Sequence, residues 1–269
     1  MLSRIKVKLD DWRWRILAKI TKGEKVKFLP KLDLSLHLNR DWLVDFIMDR
    51  KGIFQPEIIN AIGLEITEIQ TQLFMDIGAY NGQMGLYVKK HYPKIEVCLV
   101  EPQAVLAERI KQNAKLNKLD VRLFEIALGS TEKVIELAEP IYPKDEYGKL
   151  NPGAVSFSNS QSANSKSNIQ VVRLDNLLEK HFIKSQLESI LLKIDVESAE
   201  WEVLKGIEGL FNHCKTISII IELNFATQPE KQNSFDKWLD QYQMSIRPIN
   251  SNNLQKPYQG DYLLRWKKV

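Results

Sequence analysis

Leu73-Phe74-Met75-Asp76-Ile77-Gly78-Ala79-Tyr80-Asn81-Gly82 is an apolar run that reaches an acid and then breaks into a loop with glycines at 78, 82 and 85. Strand-like residues come first, and Met84, Leu86, Tyr87 and Val88 follow at helical spacing, so the stretch predicts a strand, a tight turn and a helix. Glycines in such a turn let the backbone approach a ligand closely, because they lack a Cβ and tolerate unusual dihedrals. The glycines fall as G-x-x-x-G-x-x-G, whereas the dinucleotide fingerprint requires G-x-G-x-x-G, so the usual NAD pattern is not met.

A chain of 269 residues suits one large domain with an extension, here divided into an N-terminal basic arm and cap (1–68) and a main domain (69–269). Hydrophobic content of 44% and charged content of 27% are those of an ordinary globular chain. No apolar run approaches the roughly 18 residues that span a bilayer, and the N-terminus lacks the pattern of a signal peptide, which predicts a cytoplasmic protein. Cys98 and Cys214 form no metal-type spacing and are expected to be reduced, structural thiols. Residues 1–31 carry a net charge of +7 against +4 for the whole chain, leaving −3 for the remainder. The main domain is therefore not expected to present a broad nucleic-acid-binding face. Within the arm, residues 10–20 place tryptophans among basic side chains. Such a segment can lie on an anionic membrane surface, or dock on its own domain or on a partner subunit of a homo-oligomer.

The cap is predicted to hold strand-like pieces at Val26–Leu29 and Leu32–Ser35, a helix over Asp41–Asp49 and a further element from Pro56. From Leu73 the elements alternate in βαβ fashion, which implies a mostly parallel sheet covered by helices. The second strand, Ile95–Val100, ends in Glu101-Pro102, and a helix with Val105, Leu106 and Ile110 inward runs towards Asn117. Glu101 stands 23 positions beyond Gly78 at the end of the next strand, where an acid can accept both ribose hydroxyls of an adenosine cofactor. A third strand is expected over Val121–Ile126, followed by Ala127-Leu128-Gly129, with Glu125 and Ile126 flanking the adenine edge. Residues 139–168 break the rhythm with three prolines and a Ser/Asn-rich run, the composition of a substrate loop, a lid or a disordered segment.

After a strand over Ile169–Leu174 and a helix capped by Asp175, the chain reads Ile190-Leu191-Leu192-Lys193-Ile194-Asp195-Val196-Glu197-Ser198-Ala199-Glu200. This predicts a buried strand with polar groups at its carboxyl end and a helix capped by Ser198. The next strand, Ile217–Ile221, ends in Glu222-Leu223-Asn224. If the two strands are neighbours, Asp195, Glu222 and Asn224 converge. Oxygen ligands of this kind suit Mg²⁺ or Mn²⁺, and a carboxylate there can also serve as general base for a hydroxyl. The four histidines are scattered, and only His37, in the cap, is placed to reach such a site. A helix around Phe235–Leu239 and strands near Ser245–Ile249 and Asp261–Trp266 close the chain.

With these residues assembled, the chain resembles the FkbM family of methyltransferases that use S-adenosyl-L-methionine (SAM). The resemblance rests on D-I-G-A-Y-N-G at 76–82, V-E-P at 100–102, A-L-G at 127–129, R-L-D at 173–175 and L-K-I-D-V-E-S-A-E-W-E-V-L-K-G at 192–206. It departs from the family at Tyr80, where Asn is usual, and at Ser198, where Gly is usual. The resemblance implies a Rossmann-like α/β fold: a mostly parallel seven-stranded sheet, a closing antiparallel hairpin and an N-terminal cap. It also implies O-methylation of a sugar, glycan, glycolipid or natural-product hydroxyl. Asp76, Gly78, Ala79, Asn81, Gly82, Glu101, Pro102, Glu125, Ile126 and Ala127 would hold the cofactor. Asp195, Glu222 and Lys193 would serve catalysis, and Asp195, Glu222 and Asn224 any metal ion.

Three other readings compete. A nucleic-acid amino-methyltransferase would carry an N-P-P-Y-like turn where this chain has I-D-V-E. A non-catalytic scaffold would have no need of the intact Asp76, Gly78, Gly82 and Glu101. An NAD(P)-dependent oxidoreductase is disfavoured by the glycine spacing.

Overall fold

In this computed structural model the described residues are 23–138, 149–150, 166–182, 187–226, 229–251 and 253–268. The basic arm, and all of the 139–168 loop except 149–150 and 166–168, lie outside them.

The main sheet has seven strands. In chain order its parallel members are β3 (Leu73–Ile77), β4 (Glu96–Val100), β5 (Arg122–Phe124), β9 (Ser189–Ile194) and β10 (Thr216–Asn224). The last two strands are β11 (Ser245–Pro248) and β12 (Gln259–Lys267), which pair antiparallel to each other, and β12 runs antiparallel to β10. The spatial order is β11-β12-β10-β9-β3-β4-β5. Every residue of β3 and of β9 is buried, as a strand covered on both faces requires, which is why both read as nearly unbroken apolar runs.

Strand alternation feeds two cores. Leu73, Met75, Ile77, Leu192, Ile194 and Ile219 point to one side of the sheet; Phe74, Leu99, Leu191 and Ile220 point to the other. The second core also contains the cap: β1 (Glu24–Leu29), β2 (Leu34–Asn39), α1 (Leu43–Lys51) and α2 (Pro56–Glu68). Leu34, Leu36 and Leu38 of β2 are buried there. α1 stops at Gly52, whose φ of +77° makes the left-handed turn that ends many helices. α2 starts with Pro56 in its first turn, where a missing N–H costs nothing.

α3 (Gln83–His91) follows β3, and α4 (Ala104–Asn117) follows β4. α4 also closes the open edge of β2. Asn117 both accepts from the Ser35 N–H (2.8 Å) and donates to the Ser35 carbonyl (2.6 Å), Asn113 accepts from the His37 N–H (2.7 Å), and Arg109 donates to the His37 carbonyl (3.1 Å). An exposed strand edge is thus paired by side chains one helical turn apart. The remaining elements among the described residues are a small sheet of β6 (Ala127–Leu128), β7 (Lys133–Ala138) and β8 (Lys166–Val172), then α5 (Leu174–His181), α6 (Glu200–Lys205), a 3-10 turn over Glu208–Asn212 and α7 (Pro229–Tyr242). Cys98 and Cys214 are buried free thiols.

Several sequence expectations need correction. The predicted strand 121–126 is only Arg122–Phe124; the chain then bends, and Ala127-Leu128 pairs with Val171-Val172 in the small sheet. Val105 does not face inward but is 48% exposed. Asp175 lies inside the first turn of α5, with Arg173 at the cap, and its carboxylate takes the N–H groups of Asn176 and Gly209. Ser198 does not cap α6: Ala199 holds that position.

Candidate active site

β3 delivers the chain into a turn that only glycine fits at position 78. Gly78 has φ +79°, and a Cβ there would lie 1.9 Å from the Asp195 carbonyl oxygen. Its N–H and that of Ala79 both donate to the Val100 carbonyl, at 3.0 and 3.1 Å, tying the ends of β3 and β4 together. Asp76 is fully buried beneath this loop. Its Oδ2 accepts from the Gly85 N–H (3.1 Å), while Oδ1 has no hydrogen-bond partner among the described residues and faces the Lys193 ammonium at 3.6 Å.

Glu101, at the tip of β4, is 4% exposed. One carboxylate oxygen accepts from the Tyr80 N–H and the other from the Gln103 N–H, each at 3.0 Å. Burial raises its pKa to about 7, against the pull of those two N–H groups. The acid is therefore held by backbone on both oxygens, with lone pairs left for hydroxyl donors.

On the other side of the Gly78 loop, at the tips of β9 and β10, the charge is mostly negative. Lys193 donates to the Gly78 carbonyl (3.2 Å) and faces Asp195 Oδ2 at 3.4 Å. Burial opposes its charge, but Asp195 and Asp76 outweigh that and raise its pKa. Glu197 is raised to about 7 by burial and by Asp195 and Glu200. Glu222 is also raised to about 7, by burial and by Asp195 and Asp261, and Asp261 itself to about 6, by burial and by Asp195. Glu197 and Ser198 take φ of +52° and +79°, and Glu200 accepts the N–H groups of Val196 and Ser198 across that turn.

These elements surround a cavity of about 290 Å³ at the carboxyl ends of the strands, where open α/β sheets bind ligands. Of the residues read from sequence as cofactor contacts, Gly78, Ala79, Asn81, Glu101, Pro102, Ile126 and Ala127 line it, and so do Lys193, Asp195 and Glu222. Asp76 and Gly82 support the loop without lining the cavity. Glu125 turns away, half exposed and paired with Lys111 at 2.5 Å. His37 also lies elsewhere, held along α4.

The metal triad is not assembled. Asn224 is not among the lining residues, the Lys193 ammonium already faces Asp195, and among the described residues no three His, Cys, Asp or Glu gather as a metal site.

Sequence reading missed Val44, Phe54 and Gln55 of the cap, which form one wall of the cavity, and Glu197 within the 192–206 block. The cap residues carry no local motif; only tertiary packing brings them there.

Residues 76–244 match the family described as Methyltransferase FkbM domain. The chain is 30% identical over 173 residues to Methyltransferase sdnD of Sordaria araneosa, covering 56% of this chain and 67% of that protein. It is 24% identical over 170 residues to Methyltransferase 1 of Beauveria bassiana, covering 57% and 67%. Among solved structures, a putative O-methyltransferase from Klebsiella pneumoniae superposes with a TM-score of 0.49 at 11% identity, covering 96% of this chain and 99% of that one.

Proposed function

The chain belongs to the methyltransferase FkbM domain family and is a SAM-dependent methyltransferase, and on that premise we propose that it methylates a hydroxyl oxygen of a sugar, glycan, glycolipid or natural product. The observation that carries this reading is that one cavity is lined both by a doubly held acid, Glu101 at the tip of β4, and by the carboxylates Asp195 and Glu222 at the tips of β9 and β10.

Glu101 would accept the ribose hydroxyls, with Pro102, Ile126, Ala127 and Leu128 lining the adenine side, while the Gly78 loop passes close to the methionine part. When bound, SAM supplies a sulfonium-activated methyl group, so the protein's work is to align the acceptor oxygen and take its proton. Glu222 suits the second task better than Asp195. A base with a pKa near neutrality accepts a proton at working pH and can release it to water afterwards, whereas Asp195 is engaged by Lys193. Lys193 and Asp195 would fix the geometry around the transferred methyl. The net negative wall also favours the cationic sulfonium over the neutral thioether left after transfer.

The test is methyl transfer from radiolabelled SAM to a panel of hydroxylated glycans, with Glu222→Gln as the comparison. We expect an acid-stable methyl ether, and a loss of roughly 10²–10⁴-fold in kcat for the variant with little change in cofactor affinity. Label recovered on nitrogen or carbon, or an unaffected Glu222→Gln enzyme, would overturn the assignment.

A further inference from the structure

The family match begins at Asp76, yet three residues of the cavity wall, Val44, Phe54 and Gln55, belong to the cap that precedes it. Two buried polar clamps join that cap to the loop beneath the cavity.

The first runs through Asp45 of α1, which is fully buried and does not itself line the cavity. Its Oδ1 accepts from Asn81 Nδ2 (2.9 Å) and its Oδ2 from the Asn39 N–H (2.7 Å), with Arg109 of α4 at 4.0 Å. Asn81 in turn accepts the Gln83 N–H on its own Oδ1 (3.1 Å), and its backbone carbonyl accepts from Asn113 (2.9 Å). Each polar group of the Asn81 side chain is thus committed: one to the cap, one to the start of α3. The second clamp is Gln83, whose side-chain amide makes a two-way pair with one residue of the cap. Its Oε1 accepts the Phe54 N–H (3.0 Å) and its Nε2 donates to the Phe54 carbonyl (2.9 Å). The N-cap position of α3 is Gly82, which has no side chain to offer, so the side-chain oxygen of Asn81 accepts the Gln83 N–H instead.

We propose that Asp45 is a positioning residue of the cofactor site: through Asn81 it locks the cap onto the cofactor loop, and Gln83 carries the lock on to Phe54, so that the cap forms one wall of the cavity. Asp45 acts at a distance from the ligand, and its partner matters more than its charge. This rests on the methyltransferase reading for the identity of the ligand, though not for the clamp itself.

Asn81→Asp sets two carboxyl groups against each other at the present 2.9 Å separation, and because burial already raises the Asp45 pKa to about 7, the measurements are made at about pH 8.5, where a proton shared between the two no longer holds the clamp together. Adding Asp45→Asn restores one donor facing one acceptor in the reverse sense. The amide oxygen placed on α1 can still accept from the Asn39 N–H, and the carboxylate placed on the loop can still accept from the Gln83 N–H. Binding of S-adenosylhomocysteine, measured by calorimetry, should weaken roughly 10–100-fold in Asn81→Asp, as for loss of a buried donor–acceptor pair. In the double variant it should recover most of that loss, stopping short of the unaltered affinity because position 81 itself lines the cavity. Amide hydrogen exchange of Phe54 and Gln83, measured without ligand, should accelerate in Asn81→Asp and recover in the double variant.

Unaltered affinity in Asn81→Asp, or a folded double variant that stays as weak as Asn81→Asp, would overturn the proposal. If the unaltered protein does not bind S-adenosylhomocysteine, the methyltransferase reading fails. The exchange of the Phe54 and Gln83 amides still decides the clamp.

Discussion

Replacing Gly78 with Ala tests the geometry of the loop most sharply. Two costs add. A residue with a Cβ held at φ +79° is in a left-handed conformation, which costs about 1–2 kcal/mol. The Cβ would also stand 1.9 Å from the Asp195 carbonyl oxygen, and that oxygen cannot simply retreat, because the Asp195 N–H is bonded to the Ile77 carbonyl at 3.1 Å. Forced overpacking of this kind typically adds about 1–3 kcal/mol. The sum, about 2–5 kcal/mol, corresponds to a fall in Tm of roughly 5–15 °C for a chain of this size. If the loop yields instead, it can move only into the cavity, and affinity for S-adenosylhomocysteine falls by about 30-fold or more. Gly82→Ala is the control. It shares the positive φ (+85°), but its Cβ would meet only Leu86 and Leu99 side chains at 3.3–3.4 Å, so the conformational cost stands nearly alone. Differential scanning fluorimetry and calorimetric titration of both variants check this. A Gly78→Ala protein that melts and binds like the original, or does no worse than Gly82→Ala, would refute the reasoning.

Three further outcomes follow from the charges and the backbone. With Glu101 as the proposed acceptor of the ribose hydroxyls, which would donate to its ionised form, affinity for S-adenosylhomocysteine should rise with pH through about 7, and Glu101→Gln should both weaken binding and remove that dependence; a variant that keeps the pH profile would place its origin elsewhere. Without ligand, Glu101, Glu197, Glu222 and Asp261 all have pKa values raised by folding, so their contribution to stability is greatest below their unfolded values and is lost as pH rises through about 6–7. Tm should therefore decline from pH 5 towards pH 8, less steeply in Glu222→Gln, and an identical slope in that variant would contradict the electrostatic picture. Ser198→Gly relieves a left-handed serine (φ +79°) and should raise stability by about 0.5–1 kcal/mol with no change in cofactor affinity, read by urea unfolding.

How far the sequence revealed this molecule depended on whether the controlling interactions were local. β3 and β9 were legible because strands buried on both faces must be largely apolar, and Glu101 because it ends the strand after the glycine loop. The ten cofactor positions were less uniform. Glu125 follows a strand that ends at Phe124, so the bend that carries Ile126, Ala127 and Leu128 to the cavity turns Glu125 outward to Lys111. That bend exists because Ala127-Leu128 pairs with Val171-Val172, far along the chain. The cap wall was illegible for the same reason: Val44, Phe54 and Gln55 reach the cavity only because Asp45 and Gln83 bridge to a loop that motif spacing treats as separate. Glu197 and Ser198, both left-handed, sit where Ser replaces the usual Gly. There Glu200 binds the N–H groups of Val196 and Ser198 and holds the turn shut.

The proposed methyl transfer requires that SAM bind in the cavity at the carboxyl ends of β3, β4 and β9. Calorimetric titration of the full chain with S-adenosylhomocysteine, with NADH as control and Glu101→Gln as comparison, tests it most directly. One site of micromolar affinity is expected, weakened by the Glu101 substitution, with no binding of NADH. A folded protein that ignores S-adenosylhomocysteine, or binds it equally well without the Glu101 carboxylate, would contradict it.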